Sequence, residues 1–313
     1  VCYNISIQQD TMPNRHLEHP EDTILLSRRK CYQVVCTLMQ EEIPLGVKWD
    51  GAPAIVFGTD PRNDKFFVGT KSVFNKKRVK ICYSYEDIDE NYKGEVANIL
   101  RLCFRHLPRI GGIVQGDYIG VSGGTRYTPN TLEYIFSTPT TEHIVFAPHT
   151  NYTEISPTAV PTFGCVLSGE TGTYMVGPNE ASAFIPKSEK KFNWIKFIYN
   201  LARAQRPSKK HYAEILKHVN KWVREGLVPP AEEMYKTLPA KYKGEVNVYT
   251  FKVWDQIFQL KQSLMDNIEV SGSVTPYLDG EPTAHEGFVT QTEHPVKLVD
   301  RLTFSKANFK LNG

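Results

Sequence analysis

Most short signatures of known chemistry are missing from this sequence. Its six cysteines are Cys2, Cys31, Cys36, Cys82, Cys103 and Cys165. They form no C-x-x-C pair, and none lies at zinc spacing from a histidine. Scattered thiols of this kind predict reduced, core-filling side chains and a cytosolic setting. No apolar run reaches the roughly 20 residues of a membrane span. Neither G-x-x-x-x-G-K-[ST] nor G-x-S-x-G occurs, so P-loop and α/β-hydrolase chemistry have no support. "SGGTRY", residues 122–127, is glycine-rich without that spacing and reads as a hairpin turn. There is no signal-peptide pattern, internal repeat or low-complexity tract. The first residue is Val1, so we expect some N-terminal sequence to have been lost. Net charge is only +3 over 313 residues, so a nucleic-acid surface would have to be a local patch.

What is present is an ordinary globular composition, 41% hydrophobic and 23% charged, on a chain long enough for one large or two modest domains. Residues 1–20, with Pro13 and Pro20, read as a loop leading into a helix over 21–40. "PAIVFG" and "KFFVGTKS" read as strands joined by the turn cluster "TDPRND". A helix is expected over 85–107. Strands are expected in "GGIVQGDYIG", "NTLEYIFST" and "EHIVFAPHT", and β character in "FGCVLSGETGTYMVG". Residues 188–270 show apolar positions at helical spacing, broken at Pro229-Pro230 and Pro239. "EGFVTQ" and "VKLVDRLTF" return to strand character. The expected class is α+β: a mixed antiparallel sheet domain over 1–187 and 271–313, interrupted by a helical insertion or subdomain over 188–270.

The segment "GVKWDGAP", residues 46–53, ends a hydrophobic strand on Lys48, with Asp50 two residues on. A lysine buried against a sheet is pushed toward the neutral amine, which is a nucleophile. Asp50 shares its face in an extended chain and is placed to orient the amine or metal-bound water. A solvated Lys–Asp pair in a turn is the plainer alternative. Further on, "QGDYIG" places Asp117 on a strand, "VFAPH" places Phe146, "HEGFVT" places Glu286 before a glycine and a strand, and "VKLVDR" places Lys297 on the last strand. "RHLEHPED" carries His16, Glu18 and His19. The two histidines invite a metal, but no third ligand is near in sequence, and a structural or substrate-loop role is preferred.

In this order, the five motifs between residue 46 and about 306 resemble the covalent nucleotidyltransferase superfamily of ATP-dependent DNA ligases, RNA ligases and mRNA capping enzymes. The chain looks most like a bacteriophage RNA ligase-type protein. "KWDGAP", "FVGTKSVFNK" and "VKLVDRLTFSKANF" also look like a group of tailed-bacteriophage proteins, which suggests a viral origin and residence in a host-cell cytoplasm. The resemblance implies a nucleotidyltransferase (ATP-grasp-like) fold, with ATP and Mg²⁺ or Mn²⁺ as cofactors. It implies that Lys48 attacks the α-phosphate to form lysyl-N–AMP. Asp50 and Glu286 would hold the metal, Asp117 the ribose hydroxyls, and Phe146 the purine face, with Phe136 competing for that role. Lys297 would contact the α-phosphate, and Lys71 would lie near the ribose or the receiving strand. The expected activity is an ATP-dependent polynucleotide ligase, on RNA more than DNA.

The sequence departs from the family pattern in four places. Pro53 stands where many ligases have an arginine, with Arg62 and Arg78 not far away. The middle acid is Asp117, not glutamate. The last motif lacks its second lysine, leaving Arg301 or Lys306 to supply the cation. The chain ends at Gly313, so no C-terminal OB-fold is expected. A basic run, Lys187, Lys190, Lys191, Lys196, Arg203, Arg206, Lys209, Lys210, Lys217, Lys221 and Arg224, reads either as a phosphate-contacting surface for RNA or DNA ends or as a solvated helix face. No membrane partner is expected. The rivals are a guanylyltransferase, a protein adenylyltransferase, and a non-catalytic nucleic-acid-binding relative.

Overall fold

A computed structural model describes residues 17–165, 167, 172–186 and 191–304. Cys2, Pro13, His16, Lys187, Lys190 and Lys306 therefore lie outside the described residues. After a 3-10 turn at Pro20–Asp22 come α1 (Thr23–Leu26) and α2 (Arg28–Leu38), then β1 (Ile43–Lys48), β2 (Ala54–Asp60) and β3 (Lys65–Thr70). A second 3-10 turn, Lys71–Phe74, leads to α3 (Tyr85–Asn91), α4 (Gly94–His106) and β4 (Ile113–Val121). The expected single helix over 85–107 is two, because Tyr92 and Lys93 are extended. There follow β5 (Arg126–Tyr127), β6 (Glu133–Phe136), β7 (Ile144–Tyr152), β8 (Thr162–Phe163), β9 (Thr173–Met175) and β10 (Ser182–Ile185). The helical stretch supplies α5 (Trp194–Arg203), α6 (Tyr212–Arg224), α7 (Ala231–Lys236), a 3-10 turn Ala240–Tyr242 and α8 (Val248–Met265). The last strands are β11 (Glu269–Ser271), β12 (Val274–Leu278), β13 (Glu281–Pro282), β14 (Gly287–Thr290) and β15 (Lys297–Val299). The class is α+β with largely antiparallel sheets.

Contacts divide the described chain into two units. The first comprises Gly51–Gly124 and Pro139–Val176. Its sheet runs β3-β2-β4-β7-β8, with β9 parallel to β7. β2 is apolar on both faces because both are covered. Ile55 and Phe57 join α3 and α4 residues such as Ile88, Leu100 and Cys103 in one cluster, while Val56 joins Phe67, Phe74 and Tyr152 in another. At the end of β2, the Arg62 side chain grips Asp60 through both carboxylate oxygens, and the Tyr83 hydroxyl donates to the same group at 2.6 Å. The hydrogen bonds from Arg62 draw Asp60 down to a pKa of about 2.

The second unit comprises Leu17–Asp50, Thr125–Thr138 and the described part of Gly177–Gly313. Its main sheet runs β11-β10-β1-β14-β15, all antiparallel, and a smaller one runs β13-β12-β6-β5. Ile43 and Leu45 of β1, Ile185 of β10, Phe288 of β14 and Leu298 of β15 pack into one core with Phe197, Val219, Phe251 and Trp254 from the helices. The helical stretch thus covers a face of this sheet, and the expected boundaries at 187/188 and 270/271 do not coincide with the observed ones. The "SGGTRY" hairpin is also corrected. β4 pairs with β2 and β7 while β5 pairs with β6, so the segment is where the chain passes from one unit to the other.

A buried charge network locks this core. Lys261 of α8 donates to Glu21 at 2.7 Å, and both side chains are wholly buried. Arg301 bonds Glu21 at 2.8 Å and Asp22 at 3.2 Å, and also the Asn220 side chain. Trp254 Nε1–H donates to Asp22 at 2.9 Å. Burial alone would raise Glu21, but Lys261 and Arg301 outweigh it and hold its pKa below the ordinary value. Lys261→Met removes one partner and leaves a buried carboxylate short of its counter-charge. We expect a loss of about 3–5 kcal/mol in denaturant unfolding. The double variant Glu21→Leu/Lys261→Met should recover part of it, and a double-variant loss equal to the sum of the losses of Glu21→Leu and Lys261→Met alone would show the pair to be uncoupled.

Candidate active site

Lys48 is the last residue of β1, and strand alternation puts it on the face opposite the helix-covered Ile43, Leu45 and Val47. Its partner across the ladder is Gly287 of β14, and Gly287 in turn pairs with Val299 of β15. Glu286, the residue before β14, forms an ion pair with the Lys48 amine. The Lys48 side chain is 34% exposed and that of Glu286 12%. A Cβ on Gly287 would sit 2.4 Å from the Leu298 carbonyl, so only glycine allows this approach of β14 and β15. Lys297 pairs with Val289 and so lies on the same face as Lys48. Strand spacing and rise put their Cα atoms roughly 12 Å apart. Both lysines have long, flexible side chains, and the charge of Lys48 acts on Lys297.

The buried-lysine setting expected at Lys48 is found at Lys297 instead. Desolvation lowers the Lys297 pKa, and Arg301 and Lys48 add to the shift against Asp22 and Glu18. Lys297 forms no ion pair among the described residues. A partly buried ammonium without a counter-ion, beside a second lysine, is suited to receive an anion.

Asp50 has a different role from the one expected. Its Oδ1 accepts from Asn130 Nδ2 at 2.9 Å, and its Oδ2 accepts from the backbone N–H groups of Thr131 and Leu132 at 2.9 and 3.2 Å. Its own N–H donates to the Tyr134 hydroxyl at 2.6 Å. Asp50 therefore clamps the turn before β6. Asp50 and Glu286 belong to no cluster of three or more metal-ligating side chains, and none exists among the described residues. The metal role of Asp50 is thus corrected, because both its oxygens are engaged.

Beneath the Lys48–Glu286 pair, the residues next in sequence pack together. The Trp49 ring lies 4.9 Å from Tyr134 and 5.2 Å from His285, with His285 stacked on Tyr134 at 6.1 Å. His285 is only 3% exposed, and neither ring nitrogen has a partner among the described residues. The sequence reading missed it. Its only signal was position, since it precedes Glu286 as Trp49 follows Lys48.

Most of the remaining predicted residues lie in the first unit. Gly51 is fixed by close approach, because a Cβ there would fall 2.6 Å from Asp117 Cβ and 2.9 Å from the Tyr118 carbonyl. Asp117 sits on β4 with 18% side-chain exposure. His149 Nε2 lies 3.8 Å from it, brought there by a bulge in β7 that inserts His149 between Pro148 and Thr150. No periodic pattern in "VFAPHT" foretells a bulge. Phe146 is a correction. It is fully buried, edge-on to Phe57 at 5.5 Å, and offers no open face to a purine. The competing Phe136, in the second unit, is also core, packed edge-on to Tyr127 at 5.2 Å. Lys71 is exposed at the start of the 3-10 turn after β3, not within the strand. Of the cations offered to replace the missing arginine and second lysine, Arg62 is held by Asp60 and Arg301 by the buried network. Arg78 is exposed.

Residues 14–313 match the model of a family of unknown function, DUF6267. The chain belongs to the DUF6267 family. Searches of curated proteins and of solved structures return no match. No described helix of this DUF6267 chain is long and apolar enough to cross a membrane.

His285 also sets a pH dependence for this DUF6267 protein. Burial holds its pKa at about 4, against 6.5 for an ordinary histidine. Between those values the unfolded chain takes a proton that the folded site refuses. Stability is therefore complete above about pH 6.5 and falls by about 3 kcal/mol on acidification toward pH 4. His285→Phe should flatten that slope in unfolding measured between pH 7 and 4.5. An unchanged slope would place the titration elsewhere.

Proposed function

We propose that this protein is a nucleotidyltransferase of the covalent lysine type, and within that class a polynucleotide ligase. One observation supports the reading above the others. Lys48 and Glu286, 238 residues apart in sequence and singled out by separate motifs, meet as an ion pair with Lys297 on the same sheet face. The chemistry available to such a set is phosphoryl transfer to an amine. Glu286 takes the proton from the Lys48 ammonium. The freed amine forms a nitrogen–phosphorus bond to the α-phosphorus of ATP, and the bond from that phosphorus to the pyrophosphate oxygen breaks. Lys297 stabilises the charge that builds on the α-phosphate oxygens. Asp117 is assigned the ribose hydroxyls by the resemblance alone. In a ligase the AMP would then pass to a 5′-phosphate and be displaced by a 3′-hydroxyl.

The described lysines and arginines of the basic run, from Lys191 to Arg224, are all exposed, as phosphate contacts require. Arg203 lies over the Tyr199 ring at 4.1 Å, an arrangement that also suits stacked bases. RNA or DNA ends are the proposed acceptor. A non-catalytic binding role is the second reading. It is favoured by the engagement of Arg62 and Arg301, which leaves the family's missing cations without those replacements.

The test is incubation with a divalent cation and ATP or GTP in parallel, read by intact mass. The expected result is gain of one adenylyl group, absent in Lys48→Ala and about 10²–10³-fold slower in Lys297→Ala. An adduct surviving in Lys48→Ala would refute that residue as nucleophile. A guanylyl adduct would move the reading to RNA capping, and no adduct with either nucleotide would favour the binding role.

A further inference from the structure

His19 stands directly before the 3-10 turn that carries Glu21 and Asp22. Its backbone is fixed from both sides. The Lys297 N–H donates to the Glu18 carbonyl at 3.1 Å, and the Asp22 N–H donates to the His19 carbonyl at 3.1 Å. Because Glu21 and Asp22 are tied to Lys261, Arg301 and Trp254, the imidazole cannot move far without opening the buried network. His19 as a residue is half-buried, but its Nδ1 is buried and has no partner among the described residues.

The neighbours of this ring are cations. Burial and then Arg301, Lys297, Lys261 and Lys48 lower its pKa well below the ordinary value, so the imidazole is neutral near pH 7 and carries one N–H donor. Arg301 and Lys261 are satisfied by Glu21 and Asp22, and Lys48 by Glu286. Glu18 accepts from the Tyr212 hydroxyl at 3.1 Å. That leaves an unpaired Lys297 and an orphaned imidazole nitrogen in one cationic neighbourhood. No group of three or more metal-ligating side chains lies at this place among the described residues, so a metal ion has no ligand set there. An oxyanion suits the place.

We propose that His19 is a further ligand-contacting residue, whose imidazole N–H donates a hydrogen bond to a phosphate oxygen held by Lys48 and Lys297. The nucleotide identity of that phosphate rests on the function proposed above, but the oxyanion site does not. The step is one of binding, so no bond is made or broken at His19.

The experiment is titration of the full chain with α,β-methylene-ATP, which cannot release pyrophosphate, and separately with inorganic pyrophosphate. Binding is read by calorimetry for wild type, His19→Ala, His19→Asn and His19→Gln, with unfolding curves as the folding control. His19→Ala should bind about 10-fold more weakly, the worth of a hydrogen bond to a charged group. Either Asn or Gln, whose amide replaces one ring nitrogen, should stay within about 3-fold of wild type. Should His19→Ala fail to fold, the Asn and Gln pair carries the comparison. Equal affinity in all variants would overturn the proposal. Equal weakening in all three would mark a packing role and overturn it too. Pyrophosphate binding that depends on His19, without nucleotide binding, would uphold the oxyanion site while rejecting the nucleotidyltransferase reading. Binding of neither probe to wild type would reject both.

Discussion

The buried pairing of Glu21 and Asp22 with Lys261 and Arg301 is the constraint on which the second unit depends. Four charges lie in a core otherwise built from Ile24, Leu25, Trp254, Ile257 and Phe258. Each would be intolerable there alone, and together they tie three distant pieces of chain to one another. The turn before α1, the middle of α8 and the turn after β15 are joined in this way. Lys297, four residues before Arg301, inherits its place from this network, and so does His19.

The segment from Lys48 to Pro53 shows how one short stretch can serve several demands. Lys48 faces Glu286, Trp49 turns inward against Tyr134 and His285, and Asp50 clamps the 130–132 turn. Gly51 lets the backbone press against β4. Alternation along the extended chain explains why successive side chains have such different partners. The close spacing of Lys48 and Asp50 suggested one shared chemical task, but the structure separates them into an ion-pair partner of Glu286 and a turn clamp. A carboxylate that accepts three hydrogen bonds organises its surroundings more readily than it coordinates a metal.

Much of the element order was legible because the periodicities were clean. β2 and β3 with their Asp-rich turn, the strands β4 and β7, and the helices from α5 to α8 all fall where alternating or helical apolar spacing predicts. The short strands β5, β10, β11, β12 and β13 were not anticipated, since two to five residues carry too little pattern. The strand expected through "VKLVDRLTF" stops at Val299 because the Asp300 side chain caps a helical turn over 301–304.

The sequence by itself determined the α+β class, the strand-end position of Lys48 and the distinct characters of the β-rich and helical stretches. These depend on local spacing, which is written along the chain. Only the tertiary structure decided that Glu286 meets Lys48, that Phe146 is core, and that His149 is turned toward Asp117 by a bulge. It also decided that the helical stretch shares its core with β1, β10, β14 and β15. The physical reason is that burial and ion pairing depend on which surfaces meet. Two segments more than 200 residues apart carry no mutual signal until strand register and a buried charge network bring them together.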